Sequence, residues 1–325
     1  AWLLNIAAMT LGEYPDGVPS AYRIPRESLL SDADIGRFVE IASYAGVDVN
    51  GLSGGSILED FDSDGLLDLV VSSWALNDNL RFFKNNGDGT FSDRTEATGL
   101  TGITGGLNLL QADFNNDSYP DILVLRGAWL GTFGHQPNSL LRNNGDGTFS
   151  DVTEAAGLLS YHPTQAATWL DVDNDGWLDL FIGNESSGAD RHPCELYRNN
   201  GDGTFRKVEL GIFKWIKGVC SGDYNNDGYT DLFVSALDGS NELYKNAGRE
   251  ENGIWKFSRT TLLAGVGEPE AAFACWFWDY NNDGWEDLFV AGFGARDIGE
   301  VAAATLGRAH AVEAPRIYRN DGRGG

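Results

Sequence analysis

Asp60-Phe61-Asp62-Ser63-Asp64-Gly65-Leu66-Leu67-Asp68 is the stretch that decides the fold, because its pattern returns four more times. The later copies begin at Asp113, Asp171, Asp223 and Asp279, after spacings of 53, 58, 52 and 56 residues. Each places Asp or Asn at positions 1, 3 and 5 and Asp at position 9. The full set is Asp60, Asp62, Asp64, Asp68; Asp113, Asn115, Asp117, Asp121; Asp171, Asp173, Asp175, Asp179; Asp223, Asn225, Asp227, Asp231; and Asp279, Asn281, Asp283, Asp287. A second pattern keeps step with the first. It reads Asn85-Asn86-Gly87-Asp88-Gly89-Thr90-Phe91, then Asn143 to Phe149 and Asn199 to Phe205, with degenerate copies at Asn246 and Asn320. The Phe that closes this turn precedes the next acidic loop by 22 residues in three of four cases and by 18 in the other. Two motifs in register over most of a chain mark a repeat architecture.

Each unit parses into four short strands. An apolar run enters the acidic loop, as in Ala274 to Trp278, and another leaves it, as in Leu178 to Ile182. A third carries pairs such as Leu196-Tyr197. The Asn-Gly and Asp-Gly steps make a tight hairpin, because those residues accept positive φ, and Thr-Phe opens the fourth strand. Four antiparallel strands at a period near 50 residues predict an all-β fold, a β-propeller of four-stranded antiparallel blades. The blade units start near 38, 91, 149, 205 and 257. A β-sandwich gives no reason for one loop to recur at a fixed interval.

Residues 1–30 read as a short N-terminal helical segment and linker, with 31–325 forming the propeller. Leu3, Leu4, Ala7, Ala8 and Leu11 recur at helical spacing before Gly12 and Pro15. Phe38 to Val47 matches the fourth-strand segment Phe91 to Leu100, while the last unit reaches only the turn at Asn320. The five repeats are therefore expected to be part of a larger propeller, of seven blades.

The loops supply oxygen donors alone. Asp or Asn at positions 1, 3 and 5, a carbonyl at position 7 and a carboxylate at position 9 suit Ca²⁺, and the absence of thiolate and imidazole there excludes zinc and copper in these loops. Position 12 holds no Glu (it is Val71 in the first copy), so this is not an EF-hand. Positions 1, 3, 5 and 9 of the five loops carry 17 carboxylates, which repel one another unless cations lie among them. Up to five Ca²⁺ ions are expected, with the second loop weakest because Ser118 replaces Gly.

The whole chain is acidic, with 48 Asp and Glu against 23 Lys and Arg and a net charge of -25. That argues against nucleic-acid backbones and anionic membranes as partners, and no apolar run is long enough for membrane insertion. The acids are interleaved with 10 Trp, 11 Tyr and 17 Phe, which is unlike a disordered chain. Three cysteines, Cys194, Cys220 and Cys275, cannot make a disulfide framework.

The acidic loops and Asn-Gly turns resemble FG-GAP/VCBS repeats, as in integrin α-subunit propellers. Segments such as Asp151 to Gly157 and Leu140 to Asn144 are similar to the cartilage acidic protein-like group, whose bacterial members carry an ASPIC/UnbV segment. The resemblance spans roughly residues 36 to 325 and implies a calcium-binding propeller outside the cytoplasm, either extracellular, periplasmic or on the cell surface.

In such a blade the acidic loops and Asn-Gly turns share one end. The longest loops, Arg126 to Asn138, Asn184 to Glu195 and Gly292 to Pro315, fall at the other, along with all four histidines, His135, His162, His192 and His310. Arg126, Trp129, His135, Arg191 and His192 are the candidate ligand-binding residues, suited to a sugar ring or a peptide edge. No nucleophile elbow, phosphate loop or catalytic pair stands out. The expected function is a calcium-dependent binding or adhesion module for a protein or glycan, and not an enzyme. A glycan-acting enzyme on a calcium-loop propeller, of the polysaccharide lyase kind, is the alternative.

Overall fold

A computed structural model describes residues 2–29, 38–249, 255–294 and 298–322. The chain divides into two compact units, one of residues 1–40 with 293–313 and one of residues 41–292 with 314–325.

The larger unit carries the repeats as five antiparallel sheets. The first contains β1 (Ser53–Glu59), β2 (Asp68–Ser73), β3 (Arg81–Asn85) and β4 (Phe91–Asp93), and the second β5 (Asn108–Ala112), β6 (Asp121–Leu125), β7 (Ser139–Asn143) and β8 (Phe149–Asp151). The third holds β9 (Thr164–Leu170), β10 (Asp179–Asn184), β11 (Glu195–Asn199) and β12 (Phe205–Glu209). The fourth holds β13 (Ile216–Gly222), β14 (Asp231–Ala236), β15 (Glu242–Arg249) and β16 (Trp255–Arg259). The fifth has β17 (Ala272–Trp278), β18 (Asp287–Gly292) and β19 (Arg316–Tyr318). Strands pair in sequence order, and β1, β5, β9, β13 and β17 pack successively against one another. This is the propeller-like all-β fold expected from the repeat.

One apolar core fills each seam between successive sheets. Phe61 and Phe82 of the first sheet meet Phe149 of the second, with ring centroids 5.6 to 5.9 Å apart. Such a ring contributes about 1.5–3 kcal/mol when buried. Because each of the three middle sheets has a sheet on either side, their second strands β6, β10 and β14 are buried at every residue, which is why they read as unbroken apolar runs rather than alternating ones. The inner strands approach closely: a Cβ on Gly55 of β1 would lie 2.5 Å from the Leu109 nitrogen of β5.

Phe38 to Val47, matched by sequence to a fourth strand, contains no strand. It carries the short helix α2 (Ala42–Ala45) and Gly46 at φ 78°, while among the described residues β19 pairs with β18 alone. The turn, rather than the strand, is what repeats: Gly46 faces the Phe91 carbonyl as Gly99 faces that of Phe149 and Gly157 that of Phe205.

In the smaller unit, helix α1 (Trp2–Thr10) stops before Gly12, at φ 73°. The helix lies where the spacing predicted it, and among its described side chains Asn5 and Ala8 are buried while Leu3 and Leu4 are exposed, as is Leu11 beyond it. Asn5 bridges Tyr22 and Ile24 by side-chain hydrogen bonds of 2.8 and 3.0 Å. No described helix is long and apolar enough to cross a membrane.

Candidate functional site

The five acidic loops share one hydrogen-bond plan. The position-1 carboxylate accepts from the backbone N–H groups of positions 5 and 6, as Asp171 does from Asp175 at 3.1 Å and Gly176 at 2.9 Å. The position-5 carboxylate accepts from position 7, as Asp175 does from Trp177 at 3.0 Å. Position 6 has positive φ throughout, including Ser118 at 70°. Position 4 also does, at Ser63, Asn116, Asn174, Asn226 and Asn282, which the spacing alone does not reveal.

Position 9 is the buried anchor. Asp68, Asp121, Asp179, Asp231 and Asp287 are almost fully buried, and each accepts the backbone N–H of the third-strand Asn of its own sheet at 2.7 to 2.9 Å. Burial pushes the Asp121, Asp179 and Asp231 carboxyls up to about 7.

That third-strand Asn also joins sheets. Asn143, Asn199, Asn246 and Asn320 donate to the position-2 carbonyls of the preceding sheet's loop, namely Phe61, Phe114, Val172 and Tyr224. In the opposite sense, the position-4 residues Asn116, Asn174 and Asn226 donate to the position-6 carbonyls of the following loop, Gly176, Gly228 and Gly284. The loops thus form a stitched rim.

The donor set fits Ca²⁺. Asp68 Oδ2, Asn115 Oδ1, Asp173 Oδ1 and Asn281 Oδ1 are buried with no hydrogen-bond partner among the described residues, at position 9 of the first loop and position 3 of three others. Buried oxygens left unpaired are costly, and an oxygen-seeking cation would satisfy them. The first and third loops, with four carboxylates each, bring three of them close enough to share one ion.

A basic side chain from the third strand stands over most loops. Lys84 Nζ lies 2.7 Å from Asp62 and from Asp64, and Arg198 lies 2.5 Å from Asp173 and 2.8 Å from Asp175. Lys245 pairs with Asp227 at 2.9 Å and Arg319 with Asp283 at 3.7 Å. The repeated Lys or Arg before the Asn was legible in the sequence and was missed there; it neutralises part of the repulsion assigned above to metal alone.

At the other end of the sheets the candidate ligand residues divide. Arg126 is drawn into the fold: it is buried and donates to the Thr104 and Pro137 carbonyls and to Ser139, at 2.7 to 2.9 Å. Trp129 is partly exposed, stacks on Phe273 at 5.9 Å and covers the ammonium of Lys217 at 3.3 Å. Lys217 is itself paired with the buried Glu185, and burial lowers its ammonium to about 8. Arg191 is exposed, its guanidinium 5.0 Å from the Phe213 ring. His135 and His192 lie together with ring centroids 4.8 Å apart, and His162 joins them at 5.0 Å from His192. Burial is the main cause that lowers the His162 imidazole. His310 and most of the long Gly292 to Pro315 loop belong to the smaller unit. Cys194 and Cys220 are buried and Cys275 is partly buried, all as free thiols.

Comparison with known proteins places these features in context. The FG-GAP-like repeat profile matches residues 60–124, 128–182, 171–234 and 223–290. Human cartilage acidic protein 1 is 29% identical over 246 residues, covering 72% of this chain and 35% of that protein. The Xenopus tropicalis cartilage acidic protein 1 is 30% identical over 162 residues, covering 47% and 24%. The chain thus spans about a third or less of the length of these relatives. Among solved structures, the V. cholerae biofilm matrix protein Bap1 is similar at a TM-score of 0.45 and 12% identity, over 84% of this chain and 38% of that one.

Proposed function

The chain belongs to the FG-GAP-like repeat family, and on that premise we propose that it is a calcium-stabilised, extracytoplasmic binding or adhesion module for a protein or glycan ligand. The carrying observation is the set of buried, unpartnered oxygens at Asp68, Asn115, Asp173 and Asn281, all at ligand positions of the acidic loops. In each loop the carboxylates and amides of positions 1, 3, 5 and 9 would hold one Ca²⁺, whose charge would relieve the repulsion and tie the loop to its sheet. Calcium at extracellular levels suits loops of this kind. The ligand would dock at the opposite end, on the loops that present Trp129, His135 and Arg191, because long loops on a rigid scaffold are where binding resides.

The test is a binding screen of the intact protein against glycans and extracellular proteins, in calcium and in chelator. A ligand retained in calcium, lost in chelator and weakened by Trp129→Ala or Arg191→Ala supports the reading. Binding that is indifferent to both substitutions would move the ligand off this end of the sheets.

A further inference from the structure

Two histidines, His135 and His192, converge from separate loops onto a single aspartate, and a third, His162, meets His192 from a further segment. His135 comes from the connection between β6 and β7, His162 from the segment before β9, and Asp190 and His192 from the connection between β10 and β11. Asp190 faces His135 Nε2 with one oxygen at 3.2 Å and His192 Nε2 with the other at 3.0 Å. Taking one donor atom from each residue, the three lie within 4.8 Å of one another.

We propose that His135 Nε2, Asp190 and His192 Nε2 form a site for one Zn²⁺ ion, with His162 positioning His192. The site is separate from the calcium loops and goes beyond the binding function above. Its donors are the imidazole and carboxylate groups that Zn²⁺ prefers, and three protein ligands leave a fourth position open. Neighbouring donors around a tetrahedral zinc stand about 3.4 Å apart, and each imidazole already lies near that distance from one of the two Asp190 oxygens.

His192 carries the independent observation. Its side chain is buried, and its Nε2, although near Asp190, has no aligned hydrogen-bond partner among the described residues. Its other ring nitrogen, Nδ1, lies 2.9 Å from His162 Nδ1. One of those two nitrogens must carry the proton. When it is His192, its Nε2 presents a lone pair to a carboxylate oxygen, a repulsive contact that a cation between them turns into two bonds. His162 then accepts from the ligating histidine and turns its own Nε2 toward the buried Glu195, at 3.8 Å. Zinc-binding histidines are characteristically oriented by such an outer partner. The loop is also fixed from behind, since Ser186 Oγ bonds both the backbone N–H and the carbonyl of His192, at 2.8 and 2.7 Å.

The experiment is calorimetric Zn²⁺ titration of the intact chain in about 2 mM Ca²⁺, which keeps the acidic loops supplied with their own ion. One equivalent of Zn²⁺ is expected in the wild type and in His310→Ala. His135→Ala and Asp190→Asn should lose it, and His162→Gln should weaken it by about 10- to 100-fold. The His135 and Asp190 side chains are 45% and 39% exposed, so both variants should melt as the wild type does without zinc, which keeps misfolding from explaining the loss. Co²⁺ in place of zinc should give visible absorption that His135→Ala abolishes. Absence of stoichiometric binding in the wild type, or equal binding in His135→Ala and Asp190→Asn, overturns the proposal.

Discussion

The side-chain amide of Asn143 donates to the carbonyl of Phe61 at 2.8 Å, carrying the third strand of the second sheet into the acidic loop of the first. The residue is buried, and the same amide also reaches the Pro120 carbonyl of its own sheet at 3.2 Å. One side chain therefore closes two backbone acceptors, and its homologues do so at each later seam.

Replacing such an asparagine should be costly. Asn199→Ala strands the Phe114 and Leu178 carbonyls and should destabilise the chain by about 2–4 kcal/mol. Its neighbour Asn200 is exposed and only bonds within the turn, so Asn200→Ala should cost under about 1 kcal/mol. Urea unfolding of the two variants checks the contrast.

Calcium removal should act on the whole rim. With 17 carboxylates at the ligand positions of the five loops, the melting temperature should fall sharply in chelator and recover with added Ca²⁺ in a concentration-dependent way. An unchanged melting curve on protein shown to be metal-free would sink the calcium reading.

Loop chemistry can be tuned in both directions. Asp175→Ala removes a proposed ligand from a four-carboxylate loop and should lower stability in calcium. Ser118 stands at φ 70°, so Ser118→Gly should raise stability by up to about 1 kcal/mol. Ser63, at φ 60°, occupies the position from which Asn116, Asn174 and Asn226 reach the next loop. Ser63→Asn should supply the corresponding bond to the Ser118 carbonyl and add about 0.5–1 kcal/mol, read by chemical denaturation.

Without metal, stability should fall as the pH rises. Folded Asp121, Asp179 and Asp231 hold their protons up to about 7, whereas the unfolded chain releases them near 4. Between those values the folded state binds more protons, so these groups favour it at low pH and lose that contribution as the pH climbs through the window. Asp179→Asn mimics the protonated acid and should flatten the slope by up to about 1.4 kcal/mol per pH unit there. Denaturation of chelated protein from pH 4.5 to 7.5 measures it, and a slope unaltered in Asp179→Asn would refute the assignment.

Much of the fold was legible because a repeat multiplies weak signals. One Asp-rich loop is an ordinary turn, but five in register fixed the strand count, the strand order and the end on which the loops lie. Phe38 to Val47 misled because the sequence match there records a glycine-ended turn, and Gly46 needs its positive φ whether or not a strand precedes it. The Asn ladder escaped notice because its partners, such as Asn246 and the Val172 carbonyl, are far apart in sequence and one of each pair is backbone, which leaves no side-chain signature. His135, His162 and His192 lie at the expected end of the larger unit while His310 falls in the smaller one, and the meeting of His135 and His192 at Asp190 depends on loop conformations that spacing does not specify.

The ladder also bears on how a chain like this can change in copy number. Each unit arrives with the asparagine its predecessor needs and offers the carbonyl its successor will use. A duplicated repeat would therefore fit between two existing ones with both of its joints already written, and a deleted repeat would leave neighbours that still match. Growth and shrinkage by whole units require no compensating substitution at the seams, whereas an insertion of half a unit would orphan a donor on one side and an acceptor on the other.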